Sequence, residues 1–268
     1  MLLRGFSILL LACLSLTAQV PRPENGGHSS LEKEAALGKQ LAAEIRRRTT
    51  AIDNPVVQKY LDQLGRKLGS QMPNKRFPFT FSVVAEDLCR SAHEPAALPG
   101  GYVFVPSALF LAAQDEAEFA GMLAHAMEHT TPRPAASGPI VNGASIPLIF
   151  FGQWSGGCSG RETTPQAFAR AQRNAELDAD SLAVGAMARA GFDPQALVRY
   201  IERVPAASSD RDGRVAALLS AIEKLPLAGH SAAPSDEFTA AQQEMRRIVQ
   251  PPVRSEARPS LVREKRYQ

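Results

Sequence analysis

Asp115-Glu116-Ala117-Glu118-Phe119-Ala120-Gly121-Met122-Leu123-Ala124-His125-Ala126-Met127-Glu128-His129 carries the strongest signal in the chain. Asp115 with Glu118 three residues on is the pattern of a capping box, so a helix starts there. Phe119, Met122 and Leu123 give that helix an apolar face. His125 and His129 stand four residues apart, on one helix face and one turn apart. That is the spacing with which two imidazoles grip a single metal ion. The chain holds 5 histidines in all, so a pair at this spacing carries weight. An isolated His-x-x-x-His remains a modest signal.

A second piece lies downstream in Asn174-Ala175-Glu176-Leu177-Asp178-Ala179-Asp180. Glu176 and Asp180 also stand four apart on a helical pattern. A carboxylate brought in from a neighbouring helix can complete a ligand set, and one a turn further on can hold a ligand imidazole by its other nitrogen. Taken alone, the two acids read equally as a solvated acidic face.

Around these segments the patterning is mostly helical. Leu31, Ala35, Leu37, Leu41 and Ile45 recur at threes and fours. Asn54-Pro55 opens a second helix with proline in its first turn. Phe77 to Val84 alternates and predicts a strand, and Tyr102 to Val105 predicts a second in the same small sheet. Residues 85–101 read as a loop ending in Leu98-Pro99-Gly100-Gly101. Ser107 to Ala113 reads as a short helix, and residues 131–172 as irregular. Helices are predicted from Gln172 to Ala190, ended by Gly191, and from Asp193-Pro194 to Arg203. Two more cover residues 214–224 and 235–249. Helices, a short sheet, then helices again define an α+β class.

Four segments, in order, resemble the gluzincin family of zinc metallopeptidases that includes HtpX, the CAAX prenyl endopeptidase and the periplasmic protease BepA, with the BepA-like branch nearest. Glu94-Pro95-Ala96-Ala97-Leu98-Pro99-Gly100-Gly101 is similar to the family's Asn-Ala-Phe-x-x-Pro-Gly-Gly loop before an edge strand. Glu116 to His129 is similar to its His-Glu-x-x-His helix. Ser145-Ile146-Pro147-Leu148-Ile149-Phe150 and then Glu176 to Asp180, followed by Ala190-Gly191-Phe192-Asp193-Pro194, complete the order. The resemblance implies a zincin-like fold, mostly helical, with a small sheet beside the metal-binding helix. It implies one Zn2+ held by His125, His129 and Glu176, with Asp180 supporting a ligand imidazole. It also implies that Gly100, Gly101, Tyr102 and Val103 bind an extended polypeptide along a strand edge.

The sequence departs from that family at the residue that performs the chemistry. Where the family has the glutamate of His-Glu-x-x-His, this chain has Ala126, which has no proton acceptor. That glutamate is the general base for the metal-bound water, and loss of a positioned base costs about 10² to 10⁴ in rate. His125-x-x-Glu128-His129 matches the inverted motif of the inverzincins. On a helix, Ala126 and Glu128 lie about 80° to either side of the mean histidine direction. Glu128 therefore serves as base only if water and substrate approach from the opposite side. Glu94 stands where the family has asparagine. Residues 205–214 have no histidine, where the family often has a His-Pro turn.

Composition sets the background. The 268 residues are 44% apolar and 21% charged, with a net charge of +3 and 6% aromatics. This excludes disorder as the main description and gives no basis for nucleic-acid binding. Residues 1–18 read as a signal peptide, with a positive start and an apolar run from Ile8 to Leu16. Leu11-Ala12-Cys13 is a faint lipobox. Residues 19–30 read as a linker, residues 31–250 as a metallopeptidase-like domain, and residues 251–268 as a basic flexible tail. Cys89 and Cys158 are either a pair or two small buried residues. Ile146 to Phe151 is too short to span a bilayer. It is either a buried loop or a surface that touches membrane or envelope protein. Two functions follow: an exported, periplasmic zinc metalloendopeptidase acting on unfolded or misassembled envelope proteins with an altered base, or an inactive, zinc-stabilised peptide-binding module.

Overall fold

A computed structural model describes residues 26–72, 75–85, 93–130, 137–141, 144–147, 166–204, 211–226 and 234–250. In chain order these form α1 (Gly26–Arg48), α2 (Pro55–Gly69), β1 (Thr80–Val84), β2 (Ala96–Leu98), a 3-10 turn (Pro99–Gly101), β3 (Tyr102–Pro106), α3 (Ser107–Ala112) and α4 (Glu116–Glu128). A two-stranded ribbon, β4 (Ser137–Val141) and β5 (Ala144–Pro147), follows. Then come α5 (Gln166–Arg189), α6 (Gln195–Arg203), α7 (Arg211–Ile222) and α8 (Asp236–Val249). The α+β expectation is met: a mostly helical body with a small sheet beside the histidine helix.

Local chemistry starts α2 and α4 where the sequence suggests. Asn54 Oδ1 accepts from the backbone N–H of Val56 at 3.0 Å and of Val57 at 3.1 Å, satisfying donors that the first turn of α2 leaves open. Its Nδ2 also donates to Glu244 Oε2 on α8 at 3.1 Å, so one cap joins two helices. Asp115 Oδ1 accepts from Glu118 N at 2.8 Å. Glu118 reaches back one residue further than a strict capping box, taking the N–H of Gln114 at 2.8 Å. It also pairs with Arg203 on α6. Gly191, at φ 81°, ends α5.

The sheet is three-stranded in the order β1-β3-β2, with β1 parallel and β2 antiparallel to β3. Strand alternation gives it two apolar faces. Phe81, Val83, Val103 and Val105 face the main core, which also holds Tyr60, Leu61, Phe110, Phe119, Met122 and Leu123. Val84, Ala96, Leu98 and Phe104 face a smaller cluster with Ala42 and Ile45 of α1. The rings of Phe110 and Phe119 lie 4.4 Å apart at the centre of the main core. α4 runs through this core, and eleven of its residues from Ala117 to Met127 are buried.

Several expected boundaries move. α1 begins at Gly26, so the last part of the 19–30 linker is helical. The strand read as Phe77 to Val84 is ladder-paired only from Thr80. The 85–101 loop contains β2, and the irregular 131–172 stretch contains β4, β5 and the first turns of α5. Ile146 and Pro147 lie in β5, whereas Leu148 to Phe151 lie outside the described residues. So do the signal peptide, Cys13, Cys89, Cys158 and the basic tail. No helix among the described residues is long and apolar enough to cross a membrane.

The expected substrate edge is also corrected. β3 is the central strand: Tyr102 pairs with Thr80 on one side and Leu98 on the other, and Val103 with Phe81 and Ala97. Both of its edges are used, so Tyr102 and Val103 cannot pair with an incoming peptide. Gly100 and Gly101 form the tight link from β2 to β3, at φ 79° and 85°, where glycine is the residue without steric cost. A Cβ on Gly101 would lie 2.3 Å from the carbonyl oxygen of Pro78. The glycines shape the turn, and the outer edge of the sheet on this side belongs to β2, Ala96–Leu98.

Candidate metal centre

α4 presents His125 and His129 from its last turn and its C-cap. Both are buried, at 0% and 7% exposure. The Nε2 atoms face each other at 3.0 Å, with the rings at 87°. α5, packed against α4, brings Glu176 to the same point. Its Oε2 lies 3.3 Å from His125 Nε2 and 3.7 Å from His129 Nε2. One turn on, Asp180 Oδ1 lies 2.7 Å from His125 Nδ1, within hydrogen-bond distance although off the ideal N–H line. Glu176 and Asp180 thus take different nitrogens of one imidazole, as their four-residue spacing suggests.

Two further residues join that sequence reasoning did not place here. Glu94, two residues before β2, puts Oε1 at 2.8 Å from His125 Nε2 and 3.9 Å from His129 Nε2. Ligand atoms of Glu94, His125, His129 and Glu176 all lie within 4.8 Å of one another, the one such cluster among the described residues. Arg214, in the first turns of α7, donates through Nε and Nη2 to the two oxygens of Asp180, each at 2.7 Å. The sequence signal for Glu94 is an acid where the resembling family has an amide. Arg214 has none, because only the packing of α7 on α5 brings it in.

The electrostatics favour positive charge at this point. Burial by itself would lower the pKa of His125, but Asp180 and then Glu94 outweigh it and hold the imidazole well above its ordinary value. For His129 burial wins over the attraction of Glu176, and its pKa falls. Burial would raise Glu176, yet His129 and His125 pull it well below the carboxylate range. Asp180 is likewise lowered, because His125 and Arg214 outweigh burial. Glu176 Oε2 is buried with no hydrogen-bond partner among the described residues. A buried carboxylate oxygen in that state is costly, and a metal ion at the convergence point removes the cost. Two imidazole nitrogens and carboxylate oxygens are a donor set suited to zinc. The residues present therefore fit the ion.

Ala126 is fully buried and adds no polar atom to the site. Glu128 is also buried, at 3% exposure, and is not among the four residues whose ligand atoms converge.

A helix carrying two buried histidines, a glutamate from the next helix and a short sheet beside them make up a zincin-like fold. Comparison with known proteins agrees. The sequence profile of Peptidase family M48 matches residues 52–230. The chain is 29% identical over 194 residues to the beta-barrel assembly-enhancing protease of Yersinia pestis. It is 28% identical over 195 residues to that of Escherichia coli strain K12. It is 27% identical over 193 residues to the putative beta-barrel assembly-enhancing protease of Vibrio cholerae serotype O1. These alignments cover 67% of this chain and 39% of each relative. The chain belongs to peptidase family M48, on the side of the beta-barrel assembly-enhancing proteases.

Proposed function

We propose that this chain is an exported, periplasmic zinc metallopeptidase domain acting on extended segments of unfolded or misassembled envelope proteins. The observation that carries the reading is the convergence of His125, His129 and Glu176 on one point, with Asp180 behind His125. These three residues would hold one Zn2+. Bound there, zinc supplies Lewis acidity for the peptide carbonyl and lowers the pKa of water. Asp180 fixes the orientation of His125, and the two-point grip of Arg214 fixes Asp180. The β2 edge offers main-chain hydrogen bonds to an extended polypeptide, sequence-tolerant recognition that suits unfolded clients. Ile146 to Phe151 is the candidate contact with membrane or envelope protein.

Proton transfer is the weak step. Ala126 contributes no acceptor. Glu128, from the inverted motif, is the proposed substitute; it is not among the four residues whose ligand atoms converge, and slow hydrolysis is expected. Purified protein given casein, with His125→Ala, Glu128→Ala and Ala126→Glu variants, tests this. Slow, chelator-sensitive cleavage lost in His125→Ala supports the reading, and loss in Glu128→Ala assigns the base. Ala126→Glu is expected to raise the rate by about 10² to 10⁴. A wild type that never cleaves, with cleavage appearing only in Ala126→Glu, would replace the peptidase reading with a peptide-binding module.

A further inference from the structure

We infer that Glu94 is a fourth protein ligand to the metal, and that the resting centre is therefore closed. The inference rests on the zinc reading above and adds a residue that the family's ligand pattern does not contain. A tetrahedral ion with bonds of about 2.0 to 2.1 Å sets its ligand atoms about 3.3 Å apart. The recorded separations are 2.8 Å for His125–Glu94, 3.0 Å for His125–His129 and 3.3 Å for His125–Glu176. His129–Glu176 is 3.7 Å and His129–Glu94 is 3.9 Å. These five edges scatter about the tetrahedral value. A plain hydrogen bond does not account for them: Nε2 of His125 carries at most one proton, yet three potential partners crowd it.

Burial points the same way. Glu94, Glu176 and Asp180 are three buried or largely buried acids beside the two imidazoles, and among the described residues Arg214 grips Asp180 and reaches Glu176 at 4.0 Å. Burying unpaired charge is costly, so such a cluster favours a cation at its centre. Glu94 thus brings a fourth protein donor to the point where the other three converge, the position that a three-ligand site leaves open. The loop is built to hold it there. Pro95 restricts Glu94 to extended backbone, and His93 before it adopts φ 54°, a left-handed conformation that few non-glycine residues take. Structural zinc sites have four protein ligands, whereas catalytic ones keep a position open. With Glu94 in place, this centre is of the first kind.

The test uses the full chain loaded with Co2+ or Zn2+, and it reads binding, not turnover. Zinc affinity is measured by competition with a chromophoric chelator for wild type, Glu94→Ala and Glu94→Gln. The Gln variant preserves side-chain shape should Ala perturb folding. Acetohydroxamate is then titrated against the visible spectrum of the cobalt forms. The inference predicts zinc affinity at least about tenfold lower in both variants, the loss typical of a weakened metal site. It also predicts that acetohydroxamate shifts the cobalt spectrum of the variants at concentrations that leave wild type unchanged. Equal zinc affinity in all three proteins, with equal hydroxamate response, overturns the fourth ligand but leaves a three-ligand zinc site standing. A wild type that retains neither ion overturns both readings.

Discussion

Asp180 sits behind His125, one residue removed from the proposed metal position. It lies between His125 and Arg214, fully buried, with each oxygen taken by the guanidinium. Removing the Arg214 charge leaves Asp180 buried beside Glu176 with less compensation, a situation that favours protonation and slackens the hold on His125. Arg214→Met is expected to lower zinc affinity about 10- to 100-fold, the range for loss of a supporting partner, with Asp180→Asn falling in the same range. Chelator competition on the folded variants checks this; unchanged affinity in both would show that His125 needs no such support. His125, His129, Glu176 and Asp180 were legible in the sequence because helical periodicity fixes each pair locally. Glu94 and Arg214 were not: they stand 31 residues before His125 and 34 after Asp180, and no local period connects them to their partners.

Among the elements, the helices were read closely and the sheet less well. Helix starts are written in capping chemistry. Asn54 caps α2 and holds α8 through Glu244, so Asn54→Ala is expected to cost about 1 to 2 kcal/mol. Thermal unfolding of a chain this size should then fall by about 2 to 4 °C per kcal/mol, and a Tm equal to wild type would show that the cap is dispensable. β2 escaped notice because it has three residues, too few for alternation to register, and sits in a stretch rich in alanine and proline. Missing it put the free edge on β3, whose ladder bonds are already made on both sides. Tyr102 and Val103 were correctly placed in a strand, but strand order is a long-range property. A substitution that blocks main-chain pairing separates the two edges: Ala97→Pro on β2 should weaken binding of an extended, uncleaved peptide, measured by fluorescence anisotropy, while circular dichroism stays near wild type. Unaltered binding would move the peptide site off this edge.

The whole molecule places the candidate metal ligands where three separate segments meet: the turn into β2, the end of α4 and the middle of α5. α1 covers the far side of the sheet so closely that a Cβ on Gly38 would lie 1.7 Å from the carbonyl oxygen of Pro99. The sheet is thus clamped between α1 and the main core, and the Glu94 segment leads directly into that clamp. The chain spans about two fifths of the length of the relatives it matches, so it shares with them the peptidase-family region. Within that region it has Ala126 where the family has its base, and Glu94 beside the proposed ligands. The central claim is that these residues form one zinc site of four ligands. A crystal grown with Zn2+ and measured on both sides of the zinc absorption edge tests it most directly. The account predicts one anomalous peak per chain, about 2.0 to 2.2 Å from His125 Nε2, His129 Nε2, Glu176 and Glu94. A peak bonded to the first three with water in the fourth place would contradict the closed centre, and no peak among them would contradict the site itself.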